Sequence, residues 1–401
     1  EPPLVSGPYR IKDFEMGRSV TFERVPDYWG WHLPVNKGMF NFQYIRYITY
    51  MDAEVEFQAF KAGEFDYNDE RSASRWATEY KGPQFDEGKI RQDLVQDYSP
   101  QGMQGLLFNL RRDNFKNRQV REGISYLFDF EFVNKQTMYN SYTRCRSFWE
   151  NSVFASYLGG LPDEGELKYL NPFKDQVPPE VFTKVYEPPK TDGSGNIREN
   201  LKKALELFAQ AGWAIKDGKL VNSAGAQLSF EILIYDARAS RTFDPFIENC
   251  KRAGINASYR LIDYTSWISR IEQFDYDMIT FPFGQSFSPG NEQRYFWGSR
   301  AADEKGSYNF AGIKNPAVDF LIESLIQAKD FRELQSATRA LDRVLLWNHY
   351  MIPEWYLNYF RIAYNPARLH KPNVRAPMLA VGIYEIAVIY SWWAAPGQLS
   401  K

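Results

Sequence analysis

The chain has 401 residues, 24% of them charged, and a formal net charge of −2. That length is more than one hydrophobic core organises, so two domains are expected, contiguous or interleaved in sequence, and the near-balanced charge supplies neither a field for nucleic acid nor a basic face for a membrane. Three histidines (His32, His349, His370) and two distant cysteines (Cys145, Cys250) give no metal spacing, no CxxC pair and no disulfide framework, so no metal or cofactor is expected.

In chain order, residues 6–12 and 18–24 read as two strands joined by the turn Glu15-Met16-Gly17, followed by Val25-Pro26-Asp27-Tyr28-Trp29-Gly30. Residues 41–50 form a strand with alternating aromatics. Asp52 caps a helix that runs through Lys61 and stops at Gly63. An apolar strand, Met103 to Phe108, enters Asn109-Leu110-Arg111-Arg112. A helix then starts at Asn117, with Val120, Ile124, Leu127 and Phe128 at helical spacing. Residues 159–198 are rich in Pro, Gly and acids and read as a long surface excursion with short helices.

The second half has the clearest pattern. Helices over 198–211, 242–252 and 264–273 alternate with strands over 228–234, 256–262 and 277–283. This argues a doubly wound parallel sheet, whose ligands bind beyond the carboxyl ends of the strands. Two helices over 315–328 and 331–348 follow, then apolar strands over 351–363 and 381–393. No run approaches the ~18 apolar residues of a membrane span.

Enzyme motifs fare poorly. Gly284-Gln285-Ser286-Phe287-Ser288 lacks the closing glycine of G-x-S-x-G, and no glycine-rich phosphate loop is present. Thr191-Asp192-Gly193-Ser194-Gly195-Asn196 lacks the downstream glutamate of a calcium loop and reads as a turn. No motif singles out a glycosidase pair among the many carboxylates. The best binding candidate is the loop after Phe283, where Phe283 and Phe287 accompany Gln285, Ser286, Asn291 and Glu292. A peptide offers a constant polar backbone and variable side chains, so its binder needs hydrogen-bonding groups beside roomy apolar walls. The aromatic content, 26 Tyr, 30 Phe and 11 Trp, suits recognition, although Trp267, Trp297, Trp355, Trp392 and Trp393 read as core or surface packing. Asp342 and Arg343 read as a solvated or structural pair on a long helix.

The 103–129 segment, with its strand, Asn, basic pair, Phe115, Asn117-x-x-Val120-Arg121 and Asp129, resembles solute-binding protein family 5 of bacterial ABC importers. Phe128 to Asn134, Tyr142-Thr143-Arg144 and Ser288-Pro289-Gly290-Asn291-Glu292 are similar to its YejA-type branch. Gly7-Pro8-Tyr9, Glu23-Arg24 and Asp27-Tyr28-Trp29 match a passage that lies well inside family members, as does the turn Gly63-Glu64-Phe65-Asp66. The resemblance implies that the family's first third, with any export leader, precedes this segment.

The fold so implied is α/β: a bilobal periplasmic-binding-protein type II fold, two lobes joined by crossing hinge strands. Residues 1–140 would belong to lobe 1, 141–355 to lobe 2 and 356–401 to a return into lobe 1, with crossings near 135–150 and 353–362. The function so implied is periplasmic capture of oligopeptides, including peptide antibiotics such as microcin C, by a monomer that delivers them to an inner-membrane ABC permease. No bond chemistry and no nucleic-acid partner are implied. Asn109 and Arg111 would face Phe283, Gln285, Ser286, Phe287, Asn291 and Glu292 across the cleft, with Tyr142 and Arg144 at a crossing. Ser286 stands where ordinary oligopeptide binders carry an acid for the ligand amine, so another carboxylate, such as Glu292, would have to serve. A glycoside hydrolase, or a sugar or nickel receptor on the same fold, are the rival readings; the scarcity of histidine argues against nickel.

Overall fold

The computed structural model describes residues 3–372, 388 and 390–395. The chain forms two compact units, one of Glu1–Ser99 with Asn358–Lys401 and the other of Pro100–Leu357. In the first, Tyr9–Glu15 and Ser19–Arg24 make an antiparallel hairpin that Tyr44–Ile48 extends. The helix Ala53–Ala62 starts where the Asp52 carboxylate accepts from the Glu54 and Val55 amides. It stops at Gly63, whose φ of 81° is a left-handed conformation open to glycine. A second antiparallel sheet places Tyr359–Tyr364 between Tyr67–Asp69 and Arg91–Gln96. The expected 381–393 strand lies mostly outside the described residues; Trp393–Ala394 pairs with Leu369–His370.

The second unit is built on a five-stranded sheet in the order Asn256–Leu261, Ser229–Ile234, Met278–Phe283, Met103–Phe108, Met351–Pro353. The first three run parallel, as the strand-helix alternation predicts, and Met103–Phe108 runs against both of its neighbours. Strand alternation sends side chains to two cores. Leu106, Phe108, Ile232, Met278 and Ile352 pack with the helices Arg118–Ser125, Arg198–Gln210 and Ser240–Arg252. Met103, Leu107, Leu233, Ile279 and Met351 pack with Tyr264–Glu272, Pro316–Ile326 and Phe331–Trp347. Helices thus cover both faces of the sheet.

Several sequence expectations change. Residues 100–140 fall in the second unit, not with residues 1–99, because the Met103–Phe108 strand is hydrogen-bonded between two strands of that unit's sheet. The 351–363 strand is three pieces: Met351–Pro353 in the large sheet, Trp355–Tyr356 paired with Thr143–Arg144, and Tyr359–Tyr364 in the other unit. The 159–198 stretch is no mere surface excursion, since Leu170, Val181 and Tyr186 are buried in the larger core.

Asp342 and Arg343 are both buried and do not pair with each other. Asp342 accepts from Ser147 Oγ (2.8 Å) and the amides of Phe148 (2.7 Å) and Ser156 (2.9 Å). Arg343 binds Glu166 at 2.5 Å. Cys145 and Cys250 are buried free thiols. The Thr191 turn docks on a helix start, its hydroxyl donating to Asp129 Oδ1 at 2.5 Å.

Candidate functional site

Strand direction decides which expected site residues can meet. Phe108 lies opposite Met278, and Met103 opposite Phe283. Asn109 therefore leaves the sheet at one end and the loop after Phe283 leaves at the other. The expected facing of Asn109 and Arg111 onto that loop is not formed, because two antiparallel neighbours have their carboxyl ends at opposite edges.

Asn109 and Arg111 instead hold loops together. The Asn109 amide, 0% exposed, donates to the carbonyls of Phe274 (3.0 Å) and Tyr276 (2.8 Å). Its oxygen accepts from Arg111. The Arg111 guanidinium lies 3.6 Å from the Phe274 ring centroid and donates to the carbonyls of Ala302, Asn309 and Phe310.

Phe283, 1% exposed, is a core residue against Trp297, with ring centroids 4.4 Å apart. The rest of its loop projects. Phe287 is 52% exposed, and Ser286, Asn291 and Glu292 are exposed with local hydrogen bonds to Ser288, Arg294 and Gly290. Gln285 accepts from Gln293 (2.7 Å), while its own amide nitrogen is buried without a partner. The loop sits beside Gly102, where a Cβ would fall 1.9 Å from the Phe283 carbonyl oxygen and φ is +69°, so only glycine lets the two segments approach.

Beside this loop, three strands bring together a polar group at the edge of the sheet. Gln104, Thr280 and Glu354 continue the face on which Leu106, Met278 and Ile352 are core. Glu354, 1% exposed, accepts from Gln104 Nε2 (3.0 Å) and Thr280 Oγ1 (3.0 Å) and forms no ion pair among the described residues. Burial drives its carboxyl up to about 7, against the lowering effect of the two hydrogen bonds and of the Arg144 charge. The backbone ties the group down, since the Glu354 amide donates to Gln104 O and the Cys145 amide to Glu354 O.

Arg144 lies alongside, 6% exposed, with Phe128 and Phe130 near its guanidinium. It donates to Pro353 O (3.2 Å) and Pro189 O (2.6 Å) and keeps Nη2 without a partner. Burial lowers its pKa. Glu150, also buried, accepts from the Tyr157 hydroxyl and the Arg146 amide, both at 2.6 Å, and burial raises its carboxyl. Tyr142 and Phe130 flank Trp355, with ring centroids 6.2 and 6.4 Å away. Of the expected residues, Arg144 and Tyr142 thus belong to this neighbourhood.

Gln104, Thr280 and Glu354 escaped sequence reasoning. Each is the polar interruption of an otherwise apolar strand, and that was the available signal.

The family model described as bacterial extracellular solute-binding proteins, family 5 Middle, matches residues 1–305. The chain belongs to that family. This is a family of solute-binding proteins and not of enzymes. The chain is 43% identical over 397 residues to the probable peptide-binding protein YejA of Agrobacterium fabrum, covering 98% of this chain and 63% of that protein. It is 40% identical to YejA of Escherichia coli, covering 100% and 65%. It is 38% identical to the peptidoglycan-binding protein YepA of Agrobacterium fabrum, covering 89% and 59%. The chain therefore spans about three fifths of the length of the curated relatives it matches.

Among solved structures, the oligopeptide-binding protein AppA of Bacillus subtilis, in complex with a nonapeptide, aligns at a TM-score of 0.65 and 19% identity over 97% of this chain and 66% of that one. A periplasmic oligopeptide-binding protein of Thermotoga maritima aligns at 0.70 and 18% over 97% and 69%. The fold is the α/β fold of the family 5 binding proteins. Among the described residues no helix is long and apolar enough to cross a membrane.

Proposed function

We propose that the protein is the peptide-capturing receptor of an ABC importer, acting outside the cytoplasmic membrane, in the periplasm, as a monomer and handing oligopeptides to a membrane permease. The observation that carries this reading is the 43% identity to a probable peptide-binding protein, sustained over 98% of the chain. The polar group around Glu354 fits it: hydrogen-bonding side chains beside aromatic rings. Capture would work by a conformational closure on the ligand, driven by the ligand's higher affinity for the closed form, which the permease would then recognise.

A second ligand class is favoured by the 38% identity to a peptidoglycan-binding protein. Cell-wall peptides share the polar backbone and charged ends of ordinary oligopeptides, and peptide antibiotics such as microcin C share the backbone. Mass spectrometry of what co-purifies with the full-length protein, followed by calorimetry with the identified compounds, separates these. Oligopeptides with micromolar or tighter affinity are expected. Recovery of a sugar without peptide, or turnover of a glycan, would displace the reading.

A further inference from the structure

Among the described buried carboxylates of the second unit, Glu354 alone has neither an ion pair nor a backbone amide; Asp129 accepts the Phe132 amide and the Thr191 hydroxyl on Oδ1 and leaves Oδ2 without a partner. Glu166 is paired with Arg343 at 2.5 Å. Asp342 accepts two backbone amides and a serine hydroxyl. Glu150 accepts a backbone amide and a tyrosine hydroxyl, and Arg146 contributes its charge. Glu354 has only two neutral side-chain donors, Gln104 and Thr280. Arg144, whose charge acts on Glu354, donates to the Pro353 and Pro189 carbonyls and makes no hydrogen bond to Glu354.

A carboxylate has about four acceptor sites, so roughly half of Glu354's capacity is unused. Burying that charge without a counter-charge is costly. Gln104 and Thr280, which hold the carboxyl, are half-buried and Pro282, beyond Thr280 on the same strand, is exposed, so the carboxyl lies directly beneath side chains that reach solvent at this edge of the sheet.

We infer that Glu354, held by Gln104 and Thr280, is the acceptor for a primary ammonium group of the bound ligand. An ammonium brings three donors and one positive charge, which match the unfilled acceptor sites and the missing counter-charge. The inference rests on the peptide reading above, and within that class the group is either the N-terminal amine or a lysine side chain. Neither Gln104 nor Thr280 competes for the charge; both fix the carboxylate so that little side-chain freedom is lost on binding. The burial that lifts the free carboxyl toward neutrality would be offset when the ammonium docks, so binding should release the proton that Glu354 holds in the empty site.

Calorimetry on the full-length, ligand-stripped protein tests this with three sets of tri- to pentapeptides: free N-terminus without lysine, N-acetylated without lysine, and N-acetylated with one lysine. Wild type should prefer one amine-bearing set over the blocked set by roughly tenfold to a hundredfold, and that set identifies the source of the ammonium. Glu354→Gln, which keeps the shape and removes the charge, should erase the preference between the amine-bearing and blocked sets. Should Glu354→Gln melt below the assay temperature, Thr280→Val, which removes one donor and leaves the acid, should reduce the same preference severalfold. An undiminished preference in Glu354→Gln, or in Thr280→Val where that variant has to replace it, or the lack of any preference in wild type, would overturn the inference and leave the peptide reading intact. Wild type that binds none of the three sets would overturn the peptide reading and this assignment together.

Discussion

At the scale of single residues, the partners of a buried polar side chain show whether it holds the fold. Asn109 looks like a recognition residue in sequence, since it follows a strand and precedes a basic pair. In the structure its amide satisfies two carbonyls and orients Arg111. Asn109→Ala should therefore cost about 2–4 kcal/mol in urea unfolding, the penalty for leaving buried acceptors unsatisfied. Phe283→Ala should cost about 3–5 kcal/mol by the same measurement, because the ring is packed in the core and its loss opens a cavity. Loss of peptide affinity without loss of stability in either variant would contradict these assignments.

Glu354 gives a pH signature with a definite sign. Its carboxyl titrates near 7 in the folded protein and near 4.5 when unfolded. Between those values the folded state holds a proton that the unfolded chain has released. Stability from this group is thus full below pH 4.5, declines as pH rises toward 7 and is level above it. Asp342, raised to about 6, adds a slope of the same sign, so a comparison of variants isolates Glu354. In ligand-free protein, the stability difference between Glu354→Gln and wild type should grow in favour of the variant by up to about 3 kcal/mol from pH 5 to pH 8. Parallel pH profiles in denaturant melts would contradict a buried, unpaired acid.

At the scale of elements, the helix Phe331–Trp347 shows how a polar pair can be buried in an apolar unit. Its Leu341, Val344 and Leu345 pack in the core, yet Asp342 and Arg343 between them are equally enclosed. They serve different partners: Asp342 pins the backbone of residues 147–156, and Arg343 anchors the helix Glu164–Leu170 through Glu166. Removing one member of a buried ion pair strands the other charge. Glu166→Leu alone should cost about 3–5 kcal/mol, and adding Arg343→Met should recover most of it. Additive losses in denaturant melts would show that the pair is not coupled.

The sheet strands make the complementary point. Period and turn signals placed the three parallel strands and their intervening helices, because alternation of apolar residues and helix caps is local information. The same signals also marked Met103–Phe108 as a strand. They carried nothing about its direction relative to Met278–Phe283, which is fixed by packing between segments 170 positions apart in the chain.

At the scale of the whole molecule, the two units differ in how the chain builds them. Pro100–Leu357 is continuous and contains both of its cores. The other unit is assembled from two distant segments, and Tyr359–Tyr364 is hydrogen-bonded between its Tyr67–Asp69 and Arg91–Gln96 strands. A fragment of residues 100–357 should therefore fold alone with a cooperative thermal transition, and a fragment of residues 1–99 should not. Circular dichroism and amide exchange on both fragments check this; a cooperatively folded 1–99 fragment would contradict the role given to the central strand.

The class of secondary structure along most of the chain, the helix start at Asp52 and stop at Gly63, and membership of a solute-binding family through the residues around 103–144 are legible in the amino-acid order alone. Those features depend on neighbours within one or two turns of chain. Long-range packing is what puts residues 100–140 in the second unit, sends Asn109 and the Phe283 loop to opposite ends of one sheet, and brings Gln104, Thr280 and Glu354 together. The direction, register and burial of strands brought from three distant parts of the chain are set by which faces pack together. No local pattern of apolar and polar residues encodes that choice.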